Sequence, residues 1–265
     1  MEQNKIMEDI HASHEADKQK LWEQSEQLEF IKEMKKGKNL EEIMRQFDLE
    51  KAFAQAPVEM GCSDGRCPGH RFGGAGNFIL ASDADIEKLV AENKGKVAEV
   101  KSHEGCGAAA IKFKMMMKAG QPLPEGVKTS DELGIYHGRR LAKKFGAKYS
   151  HTRKLEMLGD VHNERVIYFD GTGKFNPRAL PELPEGFMCS GSAMGLSDEY
   201  MEKELLELSD IAFYHGFGDR FDNNNPFYIV ISVSDNKQLN KMKEITEKVV
   251  KKFNGRVIVD GFVAK

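Results

Sequence analysis

The chain has 265 residues, 31% of them charged, and a net charge of only -3. That length suits one large α/β domain or two small ones, and the balanced charge excludes the basic face expected of a nucleic-acid or anionic-membrane binder. No run of about 18 apolar residues occurs, so no membrane span is expected, and the polar Met1-Glu2-Gln3-Asn4-Lys5 start predicts a cytoplasmic protein with no secretion signal.

In chain order, residues 1–50 predict an N-terminal helical arm. They lack proline, and no glycine comes before Gly37. Ile6, Ile10, Leu21, Trp22, Leu28, Phe30 and Ile31 form a sparse apolar stripe for laying across the main domain or a partner subunit. Asn39 caps a second helix, with Glu42 at its third position. His11 and His14 are expected to be exposed and inert. Residues 51–265 then predict a single α/β domain.

Pro57-Val58-Glu59-Met60-Gly61-Cys62 reads as a short buried strand. The glycines of Phe72-Gly73-Gly74-Ala75-Gly76-Asn77 allow close backbone approach, although their spacing fits neither a P-loop nor a dinucleotide fingerprint. Asp83 or Asp85 caps a helix ending near Gly95. Residues 96–102 form a second strand, with His103 just past its end, and a helix opens at Gly107. The intervening helix is the crossover that a parallel pair needs. Met115-Met116-Met117 is expected in the helix core.

After a loop at residues 121–126 come a helix over 130–145 and a strand and turn over 166–173. Residues 176–191, with Pro177, Pro181 and Pro184, predict a surface loop. A helix over 198–212, a strand over 227–233, a basic amphipathic helix over 235–253 and a strand over 256–260 complete the chain. The expected fold is α/β, a mainly parallel sheet flanked by helices. No internal repeat is legible.

Chemistry concentrates in two short motifs. Cys62-Ser63-Asp64-Gly65-Arg66 places a thiol, a carboxylate and a guanidinium at alternate positions, on one side of extended backbone. His103-Glu104-Gly105-Cys106 offers an imidazole and a thiol that one turn can aim at one point. Both motifs sit at carboxyl ends of strands, where open α/β sheets build their sites. Cys62, His103 and Cys106 make a soft three-ligand set suited to Zn2+, with a fourth position open for chemistry. The dipole of the helix after Cys106 is expected to favour a thiolate there. Cys67 reads as a neighbouring or simply buried thiol. Cys189, His70, His137, His151, His162 and His215 lack partners at metal spacing, and His151 or His162 becomes a proton shuttle only if the fold brings it near the metal.

The pair Cys-x-Asp-x-Arg and His-x-x-Cys-Gly, with Gly73-Gly74-Ala75-Gly76-Asn77 between them, resembles the β-carbonic anhydrase family over roughly residues 57–115, with a shortened segment after Arg66. The resemblance implies reversible hydration of carbon dioxide to bicarbonate by zinc-bound hydroxide. It makes Asp64 and Arg66 the candidate catalytic residues: Arg66 holds Asp64, which orients the hydroxide, or releases Asp64 to ligate zinc. The family is found in both states. The resemblance also implies a homodimer or a higher even-numbered assembly. Relatives hydrolysing carbon disulfide or carbonyl sulfide supply an alternative, and a zinc-binding protein without catalysis supplies another.

Overall fold

The computed structural model describes residues 15–53, 58–68, 72–159 and 161–264. Ile6, Ile10, His11, His14, Pro57 and His70 lie outside the described residues. The arm comprises α1 (15–26), α2 (Glu29–Lys35), α3 (Leu40–Met44) and α4 (Leu49–Ala52). Asn39 caps α3 as expected, accepting from the Glu41 N–H at 2.8 Å. The arm is part of the core. Phe30, Ile31, Leu40, Ile43 and Met44 are buried against Val166, Tyr168, Tyr228 and Val230. Arg165 lies 3.7 Å from the Trp22 ring centroid, fully buried, with Ser25 and Glu26 accepting its hydrogen bonds.

The rest is α/β, with two four-stranded sheets in which every pairing is parallel. The first contains β1 (Val58–Gly61), β2 (Phe72–Gly73), β3 (Val97–His103) and β4 (Lys148–Thr152), in the order β2-β1-β3-β4. Its connections are α5 (Asp83–Asn93), α6 (Gly107–Lys118) and α7 (Ser130–Phe145). Ser82 caps α5, accepting from Asp85 N–H, so Asp83 and Asp85 are first-turn residues and not the cap. The second sheet contains β5 (Val166–Asp170), β6 (Gly186–Cys189), β7 (Phe227–Val233) and β8 (Val257–Val263), in the order β6-β5-β7-β8, with α8 (Asp198–Tyr214) and α9 (Asn236–Val250) as crossovers.

The second sheet repeats the first, a relation not legible in the sequence. Met60 on β1 pairs with Phe72 and Val100, and Tyr168 on β5 pairs with Met188 and Val230. The central strands β5 and β7 end on Asp170 and Val233, where β1 gives way to Cys62 and β3 ends on His103. The repeat is one of strand order and parallel pairing; β1 and β3 carry a register shift between Val58 and Glu59 that β5 and β7 lack.

Two other expectations fail. Residues 176–191 are not a surface loop, because they contain β6, whose residues are all buried. The prolines precede the strand and leave its N–H groups available, which is why they do not block it. Met115 and Met117 are 51% and 56% exposed, so they are not core. Only the small Ala108 and Ala109 of α6 are buried, and Met116 packs partly beneath.

The halves meet along β2 and β6. Met188 N–H donates to the Ser63 carbonyl at 2.9 Å, and Ser190 N–H donates to the Gly73 carbonyl at 2.8 Å. At Gly73 an added Cβ would overlap Met188, so the seam requires glycine there.

Candidate metal centre

The neighbouring parallel strands β1 and β3 deliver their carboxyl ends to the same edge. Cys62 follows the last residue of β1, and His103 is the last residue of β3. The chain turns at Gly105, in the left-handed region at φ 71°, and Cys106 becomes the N-cap of α6. The Cys62 and Cys106 sulfurs lie 4.0 Å apart. Their sulfurs and a ring nitrogen of His103 all lie within 4.8 Å of one another, and all three residues are buried. The structure therefore brings together the three residues expected as metal ligands.

The donor set fits a soft divalent ion. His103 Nδ1 contacts the Glu104 carbonyl at 3.0 Å; donation to that oxygen leaves Nε2 with its lone pair. Nε2 is buried and has no hydrogen-bond partner among the described residues. Buried polar atoms normally have one. Gly76 N–H donates to Cys62 Sγ at 3.3 Å. Gly76 has φ 54°, and an added Cβ would sit 3.2 Å from Cys106 Sγ.

Contact with the Cys106 thiol and the neighbouring His103 ring hold Cys62 well below the ordinary thiol range, against the cost of burial. The same contact with Cys62, together with burial, pushes the Cys106 thiol up. Burial opposes a charge on His103, but the Cys62 thiolate and the surrounding sulfurs outweigh it and raise its pKa. Burial pushes the neighbouring Cys67 thiol up.

Asp64 and Arg66 form the expected two-pronged pair. Arg66 Nε donates to Asp64 Oδ1 at 3.1 Å, Nη2 donates to Oδ2 at 2.8 Å, and the Arg66 N–H donates to Oδ1 at 2.9 Å. Burial would raise the Asp64 pKa, but the hydrogen bonds and charge of Arg66 hold it well below the usual carboxylate range. Of the two states left open by the sequence, this is the one with Asp64 held by Arg66.

Sequence reasoning gave His162 only a conditional role and missed Glu164 and Glu204. His162 Nε2 lies 3.1 Å from Arg66 Nη2, and its Nδ1 lies 3.1 Å from Glu164 Oε2. Asp64, His162 and Glu164 group closely enough to hold an ion. However, the Arg66 guanidinium already bridges Asp64 and His162, so a cation occupies that space. Glu204, on α8, accepts from Ser63 Oγ at 3.0 Å, from Ala75 N–H and from Cys189 Sγ at 3.4 Å. Burial pushes its pKa up to about 7. It ties together the loops carrying Cys62 and Gly76. No local spacing in the sequence marks these residues, whose partners come from distant parts of the chain.

No family model, curated protein or solved structure matches the chain. The geometry of the site therefore carries the functional reading.

A cavity of about 600 Å³ opens over the centre. Cys62, Asp64, Arg66 and His103 contribute to it, together with Ile111 and Lys114 of α6, Phe187 of β6, and Leu208, Ile211 and Tyr214 of α8. His162 and His215 also line it, whereas His151 instead meets Ser102 Oγ at 2.8 Å. His137 Nε2 meets the Asn77 carbonyl at 2.9 Å, and burial lowers its pKa to about 4. Among the described residues, no helix is long and apolar enough to cross a membrane.

Proposed function

We propose that the chain is a divergent β-carbonic anhydrase that binds one zinc ion on Cys62, His103 and Cys106 and reversibly hydrates carbon dioxide to bicarbonate and a proton. The observation that carries this reading is the Asp64–Arg66 pair lining the same cavity as Cys62 and His103, two members of the two-cysteine, one-histidine set. A purely structural zinc site is closed by four protein ligands and needs no such acceptor beside it. Bound zinc supplies a Lewis acid that makes water nucleophilic near neutral pH.

The protein's own groups supply the rest. Ionised Asp64 only accepts hydrogen bonds, and Arg66 fixes its orientation, so it can select one orientation of a reacting water. Phe187, Leu208 and Ile211 give the cavity an apolar wall suited to an uncharged substrate. Two thiolates already offset the charge of the ion, so the rate is expected to rise toward alkaline pH.

The decisive experiment is stopped-flow hydration by zinc-loaded protein, with Cys106→Ser and Asp64→Ala as controls. Full zinc occupancy without hydration favours a non-catalytic zinc protein, and a rate flat from about pH 6 to about pH 9 contradicts the thiolate argument. The apolar wall suits one further reading equally, the same chemistry on uncharged carbon disulfide or carbonyl sulfide. Rates on these substrates separate it.

A further inference from the structure

We propose that Glu164 and His162 are a positioning pair that holds Arg66 against Asp64, keeping Asp64 off the metal and the fourth coordination place open. The proposal rests on the zinc reading above.

The direction of each hydrogen bond follows from the chemistry of the groups. Ionised Glu164 can only accept, so at 3.1 Å it takes the proton on His162 Nδ1. Nε2 of the neutral ring then carries a lone pair. Arg66 can only donate, so the 3.1 Å contact runs from Nη2 to Nε2. The same Nη2 donates to Asp64 Oδ2 at 2.8 Å. The chain of contacts therefore runs from a buried carboxylate, through a histidine and an arginine, to the carboxylate beside the metal ligands.

The far end of this chain is rigid. Glu164 is 1% exposed and also accepts the Gly65 N–H at 3.0 Å. An added Cβ on Gly65 would lie 2.9 Å from Glu164 Cγ, so the loop between Asp64 and Arg66 packs directly on the carboxylate. The His162 ring lies 5.9 Å from that of Phe187. Both positioning residues come from the run leading into β5, so the second half sets the geometry of the first.

This hold matters because Asp64 has another option. One of its oxygens, Cys67 Sγ and a ring nitrogen of His103 lie within 4.8 Å of one another. A modest rotation therefore takes Asp64 toward an ion on His103, and the grip of Arg66 opposes it. A ligand that shifts such a balance must act differently on its two states, and an anion competing for the open place does so.

Cobalt(II)-loaded protein reads the balance through its visible spectrum, with azide as the probe of the open place. In His162→Phe, cobalt content is expected to be unchanged and apparent azide affinity to fall about tenfold, the scale of one hydrogen bond to a charged group. His162→Gln, whose side-chain oxygen can accept where Nε2 did, should recover most of the loss. Glu164→Gln, nearly unchanged in volume, lets its amide donate to Nδ1 and favours the wrong tautomer, so its affinity should fall in the same direction. In an Asp64→Ala background, His162→Phe should change nothing further, an outcome that a general packing defect would not give.

If His162→Phe fails to fold, Glu164→Gln carries the test. Affinities within about twofold of wild type in a loaded variant overturn the positioning role and leave the zinc reading standing, because one lost charged hydrogen bond should exceed that. A wild-type chain that takes up no cobalt overturns both.

Discussion

The two sheets share strand order and parallel pairing but differ in what stands at the strand ends. After β1 comes Cys62, and β3 ends on His103. The two central strands of the second sheet end on Asp170 and Val233. Asp170 is buried, and its oxygens accept from Thr172 N–H, Thr172 Oγ1 and Ser232 Oγ at 2.6–2.9 Å, with Phe175 N–H at 3.4 Å. It secures a turn where Cys62 offers a ligand. The same frame thus serves two purposes. One copy holds the candidate metal centre, and the other supplies Phe187, α8, His162, Glu164 and Glu204 around it. The strand frame alone does not make a site; the residues placed at its carboxyl edge do.

That contrast can be broken most sharply at the ligands. Cys106→Ser should reduce zinc affinity at least about a hundredfold and abolish hydration, read by metal analysis and stopped flow, whereas Cys189→Ser in the second half should leave metal content unchanged. Asp64→Ala should lower the hydration rate about a hundredfold with metal content intact, because it removes an acceptor and no ligand.

Glu204 tests the join between the halves through pH. Its pKa is about 7 in the fold against an ordinary 4.5. A carboxyl raised on folding holds its proton more tightly in the native state. Its contribution is therefore present below 4.5 and is lost as pH rises through about 7. Urea titrations of Glu204→Gln should lack a decline in stability of about 3 kcal/mol over that window. His137 has the opposite sign. Its pKa is depressed to about 4 from 6.5, so its contribution is present above 6.5 and is lost as pH falls through about 4.

Gly73→Ala should destabilise by about 2 kcal/mol by crowding Met188 across the seam, seen as a lower thermal midpoint. The smallest effect is expected at Met117→Lys, within about 0.5 kcal/mol of wild type, because that side chain is already in water.

The sequence made long, strongly patterned elements legible. The apolar run at 227–233 is β7 to the residue, and the helix expected over 130–145 is α7. The three ligand candidates were legible because strand-end motifs carry their own spacing. β2, β4 and β6 were not, being two to five residues long and rich in glycine or polar side chains. Their pairing comes from neighbours distant in sequence, a contextual effect that local propensity misses. His162 and Glu164 were hidden for a related reason: their partners Arg66 and Gly65 lie about a hundred positions earlier. The methionines of α6 misled because an apolar triplet occupies successive helical positions and cannot face one direction.

The wall formed by β6 and α8 is joined to the ligand-bearing half by continuous backbone. Its effective concentration at the centre is therefore fixed by the tether and does not depend on how much protein is present. Dilution cannot strip this wall from the metal centre, so the part of the cavity it forms should persist at the lowest concentration at which the chain stays folded.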